Sequence, residues 1–274
     1  MIHSIDPAAC TGCGTCTKTC PLDVFRLEPA QEALSPCMAA CPAGVDIRGN
    51  HYLIQQGHLG EAARRYRIVQ PFPAITGRVC FHPCEEKCAR NHVDEAVNIN
   101  AVEQIMGDWD LKAPLEKPAR RHITKVAVIG SGPAGLSCAW FLAQMGYPVT
   151  VFEAMPLPGG MLRYGIPAYR LPDAIVAAHI ARLEAMGIAF RCNTKIGEGA
   201  DLSLSDLKRL GFKAVMLAPG TTVSRKVRME GVELPGVHWG LEFLRANRGD
   251  EQPRLSGDVL VIGGGDVAVD AAIT

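Results

Sequence analysis

Residues 125–153 read KVAVIGSGPAGLSCAWFLAQMGYPVTVFE, and the fold turns on them. KVAVIG (125–130) is a short apolar run ending in glycine, the pattern of a buried parallel strand. PAGLSCAWFLAQMG (133–146) opens with proline, continues in helix-forming residues and stops at glycine. YPVTVFE (147–153) is again strand-like. Between the first strand and the helix, Gly130-Ser131-Gly132-Pro133-Ala134-Gly135 is G-x-G-x-x-G. Those glycines permit a tight turn and bring backbone N–H groups close to a pyrophosphate, whose charge the helix N-terminus favours. Glu153 ends the second strand about 20 residues on, where an acidic side chain takes ribose hydroxyls. Strand, loop, helix, strand and acid together predict a dinucleotide site on Ser131, Gly132, Pro133, Ala134, Gly135 and Glu153.

Downstream, the same alternation continues. PLPGGMLRYGIPAYRLP (156–172) pairs two glycines with an arginine-containing, proline-rich turn. Ordering such a loop is costly unless something large is wrapped by it. KAVMLAPG (213–220) and DVLVIGGG (258–265) read as further strands running into glycine turns. The second carries Gly263-Gly264-Gly265-Asp266-Val267-Ala268, G-x-G-x-x-A, and so predicts a second nucleotide loop. An acid facing a pyrophosphate is unfavourable, so Asp266 is expected to cap the helix and point away. Strands alternating with helices imply an α/β fold with a doubly wound parallel sheet.

Upstream, the chain changes character. DIRGNHYLIQQG (46–57), HLGEAARRYRIV (58–69) and VNINAVEQIMGDWDL (97–111) read as helices, and KAPLEKPARRHIT (112–124) as a linker. Eleven cysteines are present, and nine fall before residue 89. Cys10, Cys13, Cys16 and Cys20, followed by Pro21, form the ferredoxin run C-x2-C-x2-C-x3-C-P, which binds [4Fe–4S] clusters. Cys37 and Cys41, and Cys80, Cys84 and Cys88, follow at x3 spacing. Such spacing in a reducing compartment favours metal over disulfides. Cys138 and Cys192 read as core residues. The 28 basic and 28 acidic side chains cancel, giving no basic face for nucleic acid. The apolar runs are far short of a transmembrane segment. With no export leader at MIHSIDPAAC, a cytoplasmic chain is expected.

GGMLRYGIPAYRLP (159–172), GSGPAGLSCA (130–139), CPAGVDIRG (41–49) and GRVCFHPCEEKCAR (77–90) resemble the glutamate synthase small subunit and the flavin half of dihydropyrimidine dehydrogenase. The resemblance covers residues 37–274, and the ferredoxin-type run is added in front. It implies FAD in the first site, with phosphates on Ser131 to Gly135, ribose on Glu153 and the flavin along Gly159, Gly160 and Met161. Arg170 and the backbone near Ile196 are further contacts that it implies. It makes Gly264, Gly265, Asp266 and Val267 the NAD(P)H loop. It also groups Cys80, Cys84 and Cys88 with Cys41 around one [4Fe–4S] cluster. Cys10, Cys13 and Cys16 form the other, closed by Cys20 or Cys37. Glu103 falls where the pyrimidine enzyme has a glutamine ligand, and reads as a helix acid near a cluster.

The expected organisation is a ferredoxin-like segment (1–36), a helical iron–sulfur domain (37–118), an FAD domain (119–256) and the beginning of an NAD(P) domain (257–274). The expected function is electron transfer from NAD(P)H through FAD and two clusters to a redox partner subunit. The alternative is an electron conduit whose nicotinamide site is incomplete or supplied by another chain. The sequence stops at Thr274, about two turns into a helix. That stop is compatible with an experimental truncation, a split protein or a gene model ended at a recoded stop codon.

Overall fold

The structure, a computed structural model, describes residues 34–249 and 253–274. The chain divides into two compact units, between Lys112 and Ala113. The run from Cys10 to Cys20 lies outside the described residues.

The first unit is helical. It comprises α1 (Pro36–Ala40), α2 (Ile47–Gln55), α3 (Leu59–Val69), α4 (Pro73–Val79), α5 (Pro83–Glu86), a 3-10 turn (Ala89–His92) and α6 (Ile99–Lys112). Three of these helices open on proline, whose missing N–H is harmless in a first turn. Asp46 caps α2 by accepting from the Gly49 N–H at 3.0 Å. Ile47, Asn50 and Leu53 on α2 and Ala62, Ala63 and Tyr66 on α3 turn inward at helical spacing. Except for Asn50, they join Val45, Cys84, Ile99 and Met106 in one apolar core.

Helices α4 and α6 cross at backbone distance because glycine lies at the contact on each. A Cβ on Gly77 would stand 2.5 Å from Gln104 Cα, and one on Gly107 2.1 Å from Ala74 N. The crossing is tied by Arg78, which donates to both oxygens of Asp108 at 2.7 and 2.8 Å. Arg67 on α3 pairs with the buried Asp110 on α6. The Glu103 carboxylate accepts from Gln70 Nε2 at 2.7 Å and from the Thr76 hydroxyl. Burial raises its ionisation above the ordinary carboxylate range, against those two hydrogen bonds.

The second unit comprises β1 (Lys125–Ile129), α7 (Pro133–Gln144), β2 (Val149–Phe152), α8 (Met161–Tyr164), α9 (Asp173–Ala185), β3 (Ala189–Arg191), α10 (Leu204–Arg209), β4 (Phe212–Leu217), α11 (Gly240–Asn247) and α12 (Asp266–Ile273). Its four strands are parallel in the order β3-β2-β1-β4. The chain winds outward from β1 through β2 to β3, then returns to pair β4 on the other side of β1. The loop after β1 therefore sits at the switch point, where such sheets bind ligands. Register places Val128 between Val151 and Met216. Under the sheet, Ala127, Phe152, Leu207 and Phe212 form a core, with the two phenylalanine rings edge to face at 5.6 Å.

The strand expected at 258–265 does not form. Residues 258–263 pair with no described strand, and Leu260 is 85% exposed. A parallel strand takes its hydrogen bonds from its neighbours, so an apolar run without them stays irregular. Helix α12 nevertheless begins where the second glycine loop predicts.

Gly107→Ala should force α4 and α6 apart and destabilise the helical unit by about 1–3 kcal/mol. A urea midpoint equal to that of the wild type, followed by circular dichroism, would contradict the close crossing. Because folded Glu103 holds its proton more tightly than the unfolded chain does, its stabilising contribution is full below the ordinary carboxylate pKa. That contribution is lost as pH rises through the raised native value. Glu103→Gln keeps an acceptor for Thr76 and Gln70 and removes the titration. It should flatten the fall of the urea midpoint between about pH 4 and neutrality, and an unchanged slope would refute the assignment.

Candidate functional site

Three hydrogen-bonded segments build the first loop. Ser131 is fully buried and Glu153 is 7% exposed. Glu153 Oε2 accepts from the Ser131 N–H at 3.0 Å and from the Ser131 hydroxyl, while Oε1 accepts from the Met155 N–H at 2.9 Å. Ser131 Oγ in turn accepts from the Gly159 N–H at 2.9 Å. One carboxylate thus joins the end of β2 to the glycine loop, and one hydroxyl extends the link to Gly159. Glu153 was expected to meet a ribose; in the structure its carboxylate is bonded to the protein's own loop.

The steric form of the loop fits a dinucleotide. Gly130 has φ 99° and carries the chain past β4, where a Cβ would lie 2.1 Å from Ala218 O. A Cβ on Gly135 would lie 2.0 Å from Gly130 O, so α7 starts hard against the turn. Gly132, by contrast, has no atom within 4 Å of a Cβ position, while Pro133 and Ala134 are exposed. Gly160 closes on Gly132 from the other side, its Cβ position 2.7 Å from Gly132 Cα. The open space over Gly132, at the head of a twelve-residue helix, is a cradle that a side chain would fill and a diphosphate suits.

The other residues expected around this site divide. Met161 is half-buried at the start of α8, directly after Gly160. Ile196 bridges Leu202 and packs on the Phe152 core. Arg170 turns to α12 instead, donating from Nη1 to Asp270 Oδ2 at 2.8 Å, and the Tyr169 hydroxyl donates to Asp270 Oδ1 at 2.7 Å. Asp270 is 5% exposed, so this is a buried tie to the second nucleotide helix. At that helix Gly264 and Gly265 also have open Cβ positions. Gly265 is the N-cap residue, and Asp266 lies in the first turn with no side-chain cap. The expected cap at Asp266 is therefore absent. Val267 is 42% exposed.

In the helical unit, Cys84 and Cys88 are each 8% exposed, and Cys37, Cys41 and Cys80 are half-buried. His82, in left-handed backbone at φ 40°, donates its N–H to Cys80 Sγ at 3.3 Å, and its Nδ1 stands 2.9 Å from the Cys80 carbonyl. Ser35 Oγ lies 3.2 Å from Cys37 Sγ. Burial pushes the Cys84 thiol up to about 12, with charge on Glu85, Cys41 and Cys80 adding to it. Burial likewise raises Cys80, against the His82 N–H. Cys41, Cys80 and Cys84 are therefore within electrostatic reach of one another. No three described His, Cys, Asp or Glu side chains converge as ligands of a single ion. A four-iron cubane spreads its thiolates farther than one ion does.

Two buried polar side chains support a group at this place. Tyr66, 1% exposed, and Asn50, fully buried, have no hydrogen-bond partner among the described residues for Oη or for either carboxamide atom. Leaving such atoms unpaired costs about 1–3 kcal/mol each, a cost that a buried water or a bound inorganic group removes. Sequence reasoning missed both, because Tyr66 and Asn50 fall on ordinary inward-facing helical positions. It also missed the Ser131–Gly159 bond, which no motif encodes.

Comparison with known proteins follows the same division. Residues 124–274 match the family described as pyridine nucleotide-disulphide oxidoreductase. Residues 31–114 match dihydropyrimidine dehydrogenase domain II, 4Fe-4S cluster, and residues 3–26 a 4Fe-4S binding domain. The NADPH-Fe(3+) oxidoreductase subunit beta of Geobacter sulfurreducens is 38% identical over 261 residues, covering 91% of this chain and 38% of that protein. The NAD-dependent dihydropyrimidine dehydrogenase subunit PreT of Salmonella typhimurium is 34% identical, covering 88% of this chain and 58% of that one. Glutamate synthase [NADH] of Schizosaccharomyces pombe is 35% identical, covering 84% and 12%. The chain spans less than two thirds of the length of each of these relatives. No helix among the described residues is long and apolar enough to cross a membrane. The matches bear out the resemblance read in the sequence: this is an oxidoreductase chain with FAD- and NAD(P)H-type and 4Fe-4S domains. With residues 124–274 of 274 matched, the chain belongs to the pyridine nucleotide-disulphide oxidoreductase family.

Proposed function

We propose that the chain is an electron-transfer subunit that accepts reducing equivalents from NAD(P)H and delivers them singly to a redox partner subunit, in the cytoplasm. The observation that carries this reading is the loop at the switch point, open over Gly132 and held to Gly159 through Ser131 and Glu153. FAD would lie with its diphosphate along Ser131 to Gly135, its ribose at Glu153 and its ring toward Gly159, Gly160 and Met161. Ile196 and Arg170 would flank it, with Arg170 placed by its bond to Asp270. Gly264, Gly265, Asp266 and Val267 would receive the nicotinamide dinucleotide. Cys41, Cys80, Cys84 and Cys88 would hold one [4Fe–4S] cluster, and Cys10, Cys13 and Cys16 the other, with Cys20 or Cys37. When bound, FAD takes two electrons as hydride and the clusters take them one at a time.

In this arrangement the protein's own groups position and shield. Ser131 and Glu153 keep the phosphate loop in register with the Gly159 loop, and buried Cys84 and Cys88 keep water from their thiolates. We read residues 1–36, 37–118, 119–256 and 257–274 as the ferredoxin-like, helical iron–sulfur, FAD and incipient NAD(P) parts. The names of the relatives support both nicotinamides, NADPH in one and NAD in another.

A second reading rests on residues 258–263, which stand outside the sheet. Without a strand behind it, the second glycine loop has no floor. The chain would then be a conduit whose nicotinamide site is completed by another polypeptide.

Anaerobic titration with NADH and with NADPH separates the two: bleaching of bound flavin by either supports the first. Failure of both, with dithionite effective, supports the conduit. Ser131→Ala should weaken FAD binding about tenfold, one hydrogen-bonded link being worth about 1.4 kcal/mol. Equilibrium dialysis showing wild-type FAD affinity would remove the hub from the cofactor's support.

A further inference from the structure

Among the buried polar groups, Tyr66 stands apart. It lies on α3 in the same apolar core as Cys84, with Cys41 packed against that core. Its hydroxyl is buried and without a partner among the described residues. Glu103, whose charge acts on the phenol, has its carboxylate engaged by Gln70 and Thr76. Burial first, then charge on Glu103, Cys84 and Cys41, holds the phenol protonated far above its ordinary range. The hydroxyl is thus a donor with no acceptor among the described residues, in a core that includes Cys84 and has Cys37 and Cys41 packed against it. Asn50, fully buried and unpartnered among the described residues, lies on α2 between Ile47 and Leu53, both members of that core.

We propose that the Tyr66 hydroxyl donates a hydrogen bond to a sulfur of the cluster bound by Cys41, Cys80, Cys84 and Cys88, with Asn50 as a second polar contact, and thereby raises that cluster's reduction potential. This rests on the cluster assignment above. Hydrogen bonds to sulfur favour the reduced, more negative cluster, and they are among the means by which a protein sets its potential. Tyr66 is therefore a positioning residue for the electron path and makes no bond to iron. A buried water could satisfy the same hydroxyl, but it would leave the potential unmoved by the loss of Tyr66.

The test uses the full chain, reconstituted anaerobically with iron and sulfide. Cys84→Ala comes first: iron content equal to that of the wild type would overturn the cluster assignment itself. Given a loss of iron there, Tyr66→Phe keeps the ring in the core and removes only the oxygen. The expected result is retained iron with one cluster's reduction equilibrium shifted roughly tenfold toward the oxidised form, about 59 mV for a one-electron couple. The other couple should not move. Retained iron with both potentials unchanged would overturn the proposal. If Tyr66→Phe loses iron, the wild-type protein decides after exchange into D2O: an exchangeable deuteron strongly coupled to the reduced cluster in electron–nuclear double resonance, in addition to that of the His82 N–H on Cys80 Sγ, supports the hydrogen bond, and its absence overturns it.

Discussion

The Glu153 carboxylate is the contact on which the dinucleotide unit depends. A buried charge is tolerated only when its lone pairs are filled, and Glu153 fills them with the Ser131 N–H and hydroxyl and the Met155 N–H. Satisfying that charge fixes the angle between the glycine loop and the end of β2. The Ser131 hydroxyl, oriented by donating to Glu153, then offers its oxygen to Gly159 and draws in the second glycine pair. The cradle over Gly132 is therefore a consequence of electrostatic satisfaction as much as of glycine content. An acid usually read as a ligand contact is also the structural pin of its own site.

The helical unit follows the opposite logic. Its core places thiols, a phenol and a carboxamide where hydrocarbon would pack more cheaply. Burial raises the pKa of the Cys80 and Cys84 thiols, while Tyr66 and Asn50 have no partner among the described residues. A core built this way is costly by itself, and the cluster proposed here would offset that cost by taking the thiolates as ligands. The tight glycine crossing of α4 and α6 and the bidentate Arg78–Asp108 pair supply rigidity independent of any cluster. They hold the scaffold on which the cysteines are displayed.

Much of the architecture was readable beforehand. Alternating apolar runs and glycine stops located β1, α7 and β2 to within a few residues, and proline and glycine breakers bounded the helices of the first unit. DVLVIGGG was misread as a strand because apolar, β-branched composition reports a willingness to pair, whereas pairing needs a neighbour. Arg170 was readable as a donor fork but not as a partner of Asp270, 100 positions later in the chain. The expected cap at Asp266 failed because Gly265 already occupies the capping position.

By itself the sequence determined the class of each segment, the phosphate-loop chemistry and the thiol inventory, because these follow from local spacing and residue type. Tertiary structure alone decided that Glu153 and Ser131 lock two loops together, that Arg170 serves the second helix, and that Tyr66 and Asn50 are buried with no partner among the described residues. Those outcomes depend on which distant groups are brought within hydrogen-bonding range and which are cut off from water. No local pattern carries that information.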